Sequence, residues 1–168
     1  MNQPFNADEI FEIAEQIERN GARFYRRAAE LAGDDEAAAA LLDLAGMEDD
    51  HERTFAAMRE EARREHPDWL AEPFAVDGGN EAVLYLQAIA QGRVFDLRGE
   101  PAAQLSGAES LHDLLTIAIG LEKDSIVFYL GIKEAVPESL GRGKLDDIIR
   151  EEMGHVALLS GRRAALST

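Results

Sequence analysis

An internal repeat constrains this 168-residue sequence more than any other feature, because it sets carboxylates and histidines where helices need apolar side chains. Ile17-Glu18-Arg19-Asn20-Gly21-Ala22-Arg23-Phe24-Tyr25 and Leu121-Glu122-Lys123-Asp124-Ser125-Ile126-Val127-Phe128-Tyr129 share one pattern: apolar, Glu, basic, polar, small, two free positions, Phe, Tyr. The same offset of 104 residues carries Leu41, Asp43, Glu48 and His51 onto Leu145, Asp147, Glu152 and His155. In each half the second glutamate follows the first by 30 residues and opens a Glu-x-x-His. A single Glu-x-x-His on an acidic helix is usually solvated surface charge. Two halves that agree across six polar positions without a gap point to a shared structural cause.

The polar residues sit in apolar rows. Residues seven apart lie nearly above one another on a helix. Ile10, Ala14, Ile17, Gly21, Phe24, Ala28 and Leu31 form a small-or-apolar seam, matched by Leu114, Ala118, Leu121, Ser125, Phe128, Ile132 and Ala135. Beside the seams run Phe11, Glu18, Tyr25, Ala32 and Leu115, Glu122, Tyr129, Val136, each with one carboxylate. Glu48 lies between Leu41 and Phe55, His51 between Leu44 and Met58, Glu152 between Leu145 and Leu159, and His155 seven beyond Ile148. A carboxylate in an apolar interior must be paired, protonated or bound to metal. Four of them cannot neutralise one another, whereas two divalent cations balance their charge.

Ala, Leu, Glu and Arg dominate the composition and only five residues are Pro, which favours an all-α chain. An Asn6/Glu9 capping box opens a helix that runs to about Leu31 and stops at Gly33. A second helix is expected over Asp35 to Glu65, closed by Pro67. Residues 66–78 read as irregular, Glu81 to Phe95 as a shorter helix, and 96–106 as a loop. A Ser106/Glu109 capping box predicts the start of a third long helix ending near Val136, before Pro137. A fourth is expected from about Lys144 to Ala165. Two pairs of long helices joined by one long crossover have the connectivity of ferritin-like four-helix bundles, with residues 1–168 forming a single domain.

A formal net charge of −16 argues against nucleic acid and against an anionic membrane surface as partners. Most of that charge reads as a solvated surface. The absence of cysteine excludes disulfides and iron–sulfur clusters. No apolar run approaches the about 20 residues that span a bilayer, and the N-terminus lacks the basic-then-apolar order of a signal peptide, so a cytoplasmic location is expected.

One Glu from each of two helices and a Glu-x-x-His from each of two others is the ligand set of di-iron carboxylate bundles. The motifs Glu-Arg-Asn-Gly-Ala-Arg-Phe-Tyr with Glu-Asp-Asp-His, and Glu-Lys-Asp-Ser-Ile-Val-Phe-Tyr with Glu-Met-Gly-His, give the chain a resemblance to the di-iron domain of rubrerythrins. It covers residues 10–60 and 110–162. The resemblance implies Glu18, Glu48, His51, Glu122, Glu152 and His155 as ligands of two iron ions, with Glu48 and Glu152 bridging; manganese or a mixed pair would suit the same donors. It implies reduction of hydrogen peroxide or dioxygen in oxidative-stress defence, and a homodimer. The readings beside it are iron oxidation for storage or detoxification, and a non-catalytic module that metal merely stabilises.

Two features depart from that family. Without cysteine this chain carries no rubredoxin-like centre, so electrons must come from a separate donor protein. Many rubrerythrins carry a further carboxylate three residues after the third-helix Glu, where this chain has Ser125. Tyr25 and Tyr129, one heptad from Glu18 and Glu122, are candidates for hydrogen bonds that support the ligands. Glu151, Asp49, Asp50 and Glu52 read as solvated neighbours, and His66 and His112 as surface or cap residues.

Overall fold

The computed structural model describes residues 6–71, 81–90, 100–136 and 138–166. Four long helices dominate: α1 (Ala7–Leu31), α2 (Asp35–Glu65), α6 (Leu111–Ala135) and α7 (Arg142–Ala165). Between the pairs lie α3 (Pro67–Ala71), α4 (Glu81–Ala90) and α5 (Pro101–Gln104). Helix α1 packs along α2 and α6 along α7, while α4 lies on α6 and α5 on α1. This is the all-α bundle with a long, helix-bearing crossover that the sequence predicts.

Local chemistry sets most of the boundaries. The Asn6 side chain accepts from the Glu9 amide at 3.0 Å, and the Glu9 carboxylate accepts from the Asn6 amide at 3.1 Å, which closes the predicted capping box. Asp34 caps α2 by accepting from the Ala37 amide at 2.7 Å. His66 is the C-cap of α2, and Pro67 then opens the short α3 instead of an irregular stretch. The rest of 72–80, and the predicted end of α4 at Phe95, lie outside the described residues. The expected loop at 96–106 contains the single turn α5, with Pro101 in its first turn.

The start of the third long helix corrects the sequence reading. Its cap is Ser110, paired in a box with Asp113, not Ser106 with Glu109. Gly107 between the latter has φ of +87°, a left-handed conformation that no right-handed helix can pass through. Glu109 instead accepts from the Ser106 and Gly107 amides at 2.7 and 2.9 Å and closes a tight turn. Gly141, with φ of +90°, likewise sets the start of α7 at Arg142, two residues before the predicted Lys144.

The apolar interior is divided into two lobes. One gathers Ile10, Phe11, Ala14, Phe55, Met58, Leu86, Phe128, Tyr129, Ile132, Leu145, Ile148 and Ile149. The other gathers Phe24, Tyr25, Ala28, Leu41, Leu44, Leu114, Leu115, Ala118 and Leu159. Along every long helix a glutamate separates the lobes: Glu18 between Ala14 and Phe24, Glu48 between Leu44 and Phe55, Glu122 between Ala118 and Phe128, Glu152 between Ile149 and Leu159. Each fully buried aromatic stabilises its lobe by about 1.5–3 kcal/mol, so two apolar layers hold one polar layer in place.

The start of α1 is tied to the end of α2 by charge. Arg59 donates to both oxygens of Asp8, at 2.8 and 2.6 Å, and Arg63 donates to Asp8 at 2.9 Å. The Arg59 guanidinium holds the Asp8 carboxyl below its usual range. Such stabilisation is present above the ordinary carboxylate pKa and is lost as pH falls through the depressed one. Asp8→Asn should therefore destabilise the fold by about 1–2 kcal/mol at pH 7, a figure moderated by partial solvent screening. Denaturant unfolding should show the gap from the native sequence closing as pH falls toward 3, and an unchanged gap there would exclude this ion pair as its source.

Candidate metal centre

The six repeat residues converge in the polar layer. Glu18, Glu48, His51, Glu122, Glu152 and His155 are all at most 5 % exposed. They form two groups, Glu18–Glu48–His51–Glu152 and Glu48–Glu122–Glu152–His155, in each of which one potential ligand atom per residue lies within 4.8 Å of all the others. Glu48 and Glu152 belong to both groups. Glu152 straddles the centre: its Oε1 is 2.9 Å from His51 Nδ1 and its Oε2 is 3.0 Å from His155 Nδ1. The imidazoles stack with centroids 5.9 Å apart and planes 24° from parallel.

Helix phase explains the convergence. Glu and His three residues apart project to one side of a helix, so α2 and α7 each present a carboxylate and an imidazole together. Helices α1 and α6 each supply one carboxylate from the row beside the seam. The two tyrosines donate to the unshared glutamates in crossed fashion. Tyr25 on α1 donates to Glu122 on α6, and Tyr129 on α6 donates to Glu18 on α1. Each tyrosine thus serves the other half of the repeat, which spacing along one helix could not reveal. Phe55 supports the Tyr129 ring at 4.9 Å, and Phe24 meets Tyr25 edge-on at 5.7 Å.

The electrostatics are those of crowded carboxylates. Burial, then the neighbouring Glu48, raises the Glu18 carboxyl well above its ordinary value. Burial, then the hydrogen bond shared with Glu152, raises Glu122 to about 8. Burial also works against ionised Glu152, but contacts from Glu122, His155 and His51 outweigh it and hold that carboxyl low. Burial disfavours the charged imidazoles, yet the carboxylates facing them raise His51 to about 11 and His155 to about 12. Burial, then the charge of Glu122 or Glu18, makes Tyr25 and Tyr129 much weaker acids than usual, so both remain donors.

Protons do not satisfy the layer. Among the described residues five buried side-chain atoms lack a hydrogen-bond partner, and four of them are Glu18 Oε2, Glu48 Oε1, His51 Nδ1 and Glu152 Oε1. These are one atom from each residue of the first group. His51 Nδ1 lies close to Glu152 Oε1 but off the line a hydrogen bond requires. Unpaired buried acceptors cost about 1–3 kcal/mol each, more for charged groups. Four orphaned oxygen and nitrogen donors around one point fit a divalent cation of the iron or manganese kind.

A cleft of about 440 Å³ opens onto this layer between α1 and α6. Its sides include Ile17, Gly21, Leu105, Ile117, Leu121 and Ser125, and Glu48, Glu122 and Tyr25 form its inner end. Gly21 and Ser125 occupy the same repeat position. A β-carbon on Gly21 would come within 3.3 Å of Glu48 Oε2, so the glycine leaves room for that carboxylate. The Ser125 hydroxyl donates back to the Leu121 carbonyl at 3.1 Å and does not extend toward the centre.

Of the polar residues near the motif, Asp49 pairs with Arg26, Asp50 with Arg53 and Glu52 with Arg19 at the surface. Glu151 is the exception to the solvated reading, because its Oε2 lies 2.9 Å from His51 Nε2. The contact runs from α7 to α2, so spacing along one helix does not reveal it. His66 caps α2 and the His112 carbonyl accepts from the Thr116 hydroxyl, in keeping with cap and surface roles.

No protein-family model matches the chain, and no curated protein sequence matches it. Among solved structures it resembles a candidate ferritin-like diiron-carboxylate protein from Thermotoga maritima, with 24 % sequence identity over 98 % of each chain and a TM-score of 0.68. The fold is therefore ferritin-like.

Cations entering this layer must displace protons from His51, His155 and Glu122, held protonated at pH 7 by raised pKa values. Calorimetric titration with Co²⁺ in buffers of different ionisation enthalpy should show proton release at pH 7. Less should appear at pH 9.5, where Glu122, at about 8, has already ionised. Binding heats independent of buffer would contradict this charge assignment.

Proposed function

We propose that this chain is a di-iron carboxylate oxidoreductase of the rubrerythrin kind, reducing hydrogen peroxide or dioxygen with electrons from a separate donor protein. The observation that carries the reading is the pair of buried groups sharing Glu48 and Glu152, with orphaned atoms directed inward. Glu18 and His51 would hold one ion, Glu122 and His155 the other, and Glu48 and Glu152 would lie across both. A ferrous pair supplies the two electrons that reduction of peroxide to water consumes. Imidazole and carboxylate donors suit iron, and the chemistry needs a redox-active ion.

The chain's own residues do the rest. Tyr25 and Tyr129 fix the orientation of Glu122 and Glu18 through hydroxyls that stay protonated. The two apolar lobes exclude bulk water above and below the layer. The cleft gives a small oxidant a way in past Gly21 and Ser125. Among the described residues the cleft is lined by the acidic side chains Glu48, Glu122, Glu109 and Asp124 and by no lysine or arginine, which disfavours anions and admits neutral peroxide or dioxygen.

The test is anaerobic reloading with Fe²⁺ followed by peroxide or oxygen. Two irons per chain that oxidise rapidly with peroxide are expected. Glu18→Ala and Glu122→Ala should each lower iron content, whereas Ser125→Leu should leave it intact and narrow the cleft. Oxidation in Ser125→Leu should slow roughly tenfold, equivalent to ~1.4 kcal/mol in the barrier. Iron that binds but is inert to both oxidants would contradict the proposal, and uptake far beyond two per chain would point to iron storage.

A further inference from the structure

The six inward residues obey the repeat, but the atoms behind the two imidazoles do not. His51 Nε2 faces the Glu151 carboxylate at 2.9 Å, and His155 Nε2 faces the Met47 sulfur at 3.2 Å. Met47 and Glu151 are the same repeat position, 104 residues apart. The inward residues of the two groups are otherwise the same in kind: three glutamates, two of them shared, and one histidine.

We infer that the two metal positions are inequivalent, and that Glu151 makes the His51 side the one that fills first. This rests on the metal-centre reading above and deepens it. A carboxylate accepting the outer N–H of an imidazole fixes the ring and its tautomer, leaves Nδ1 free to bind, and makes that nitrogen a better donor. A thioether is a weak acceptor and carries no charge, so Met47 gives His155 little of either effect. Glu151 also adds a negative charge on the side where a cation would sit.

A second, independent observation favours the same side. Of the four buried atoms without partners in the layer, Glu18 Oε2 and His51 Nδ1 belong to the His51 side alone, Glu48 Oε1 and Glu152 Oε1 belong to the two shared residues, and none belongs to Glu122 or His155. Tyr129 on Glu18 and Tyr25 on Glu122 hold the two unshared glutamates alike, but on the His155 side Glu152 Oε2 is also in hydrogen-bond contact with His155 Nδ1. A first cation on the His51 side therefore replaces only the misaligned approach of His51 Nδ1 to Glu152 Oε1, whereas one on the His155 side must displace an aligned hydrogen bond. Residues like Glu151 typically change metal affinity 10–100-fold. Its side chain is 58 % exposed, so the lower end, about tenfold, is the expected preference.

The test exploits the repeat. The full chain is given one equivalent of Co²⁺, and anomalous diffraction locates the ion. The expected result is cobalt mainly beside His51. In the double variant Glu151→Met, Met47→Glu the carboxylate is moved to the other histidine, and cobalt should move beside His155. Both substitutions are on exposed side chains, so folding should survive. Glu151→Gln alone should weaken the tighter of two resolved Co²⁺ affinities about tenfold in solution. Equal occupancy in the native chain, or a site preference unmoved by the exchange, would overturn the inference while leaving the metal centre standing. No cobalt at the six residues would overturn both.

Discussion

The structure depends on burying four carboxylates in a single layer between two apolar lobes. Glu18, Glu48, Glu122 and Glu152 could not remain ionised there without opposing charge, since desolvating each ion costs several kcal/mol. The chain's own answers are partial. Tyr25 and Tyr129 satisfy one oxygen on each of two glutamates, and the histidines supply positive charge when protonated. Four orphaned atoms remain. The lobes are what make this tolerable: the fully buried Phe11, Phe24, Phe55 and Phe128 pack the helices together on either side of the layer.

The repeat gives the layer its symmetry and also shows where symmetry ends. Tyrosines cross from one half to the other, and the shared carboxylates each come from a Glu-x-x-His helix. Small residues at positions 21 and 125 keep the α1–α6 side open, and Gly21 does so because a β-carbon there would press on Glu48. On the opposite face of the imidazoles the halves part, with Glu151 behind one and Met47 behind the other. A duplicated scaffold can in this way give two metal positions different properties without altering the residues that face them.

Much of this was legible in the sequence. Periodicity placed the four long helices, and the Asn6 box and Pro67 set their ends, because helix capping is local chemistry. The six buried polar residues were legible because glutamate and histidine interrupt otherwise apolar rows at matching positions in both halves, where burial demands a counter-charge. What was missed depends on backbone dihedrals or contacts across helices. Ser106 and Glu109 form a capping sequence, but the left-handed Gly107 turns it into a loop and leaves Ser110 to cap α6. Glu151 looked solvated beside His155 and instead meets His51 across the bundle. Pro101 to Gln104 is too short to leave a periodic trace.

The most direct measurement is iron K-edge X-ray absorption on the protein reloaded anaerobically with Fe²⁺. The account predicts two irons per chain, oxygen and nitrogen donors alone, and an iron–iron distance of about 3.5–4 Å. Iron that is not retained, or that is mononuclear with no second iron within that range, would contradict a di-iron layer between the two lobes.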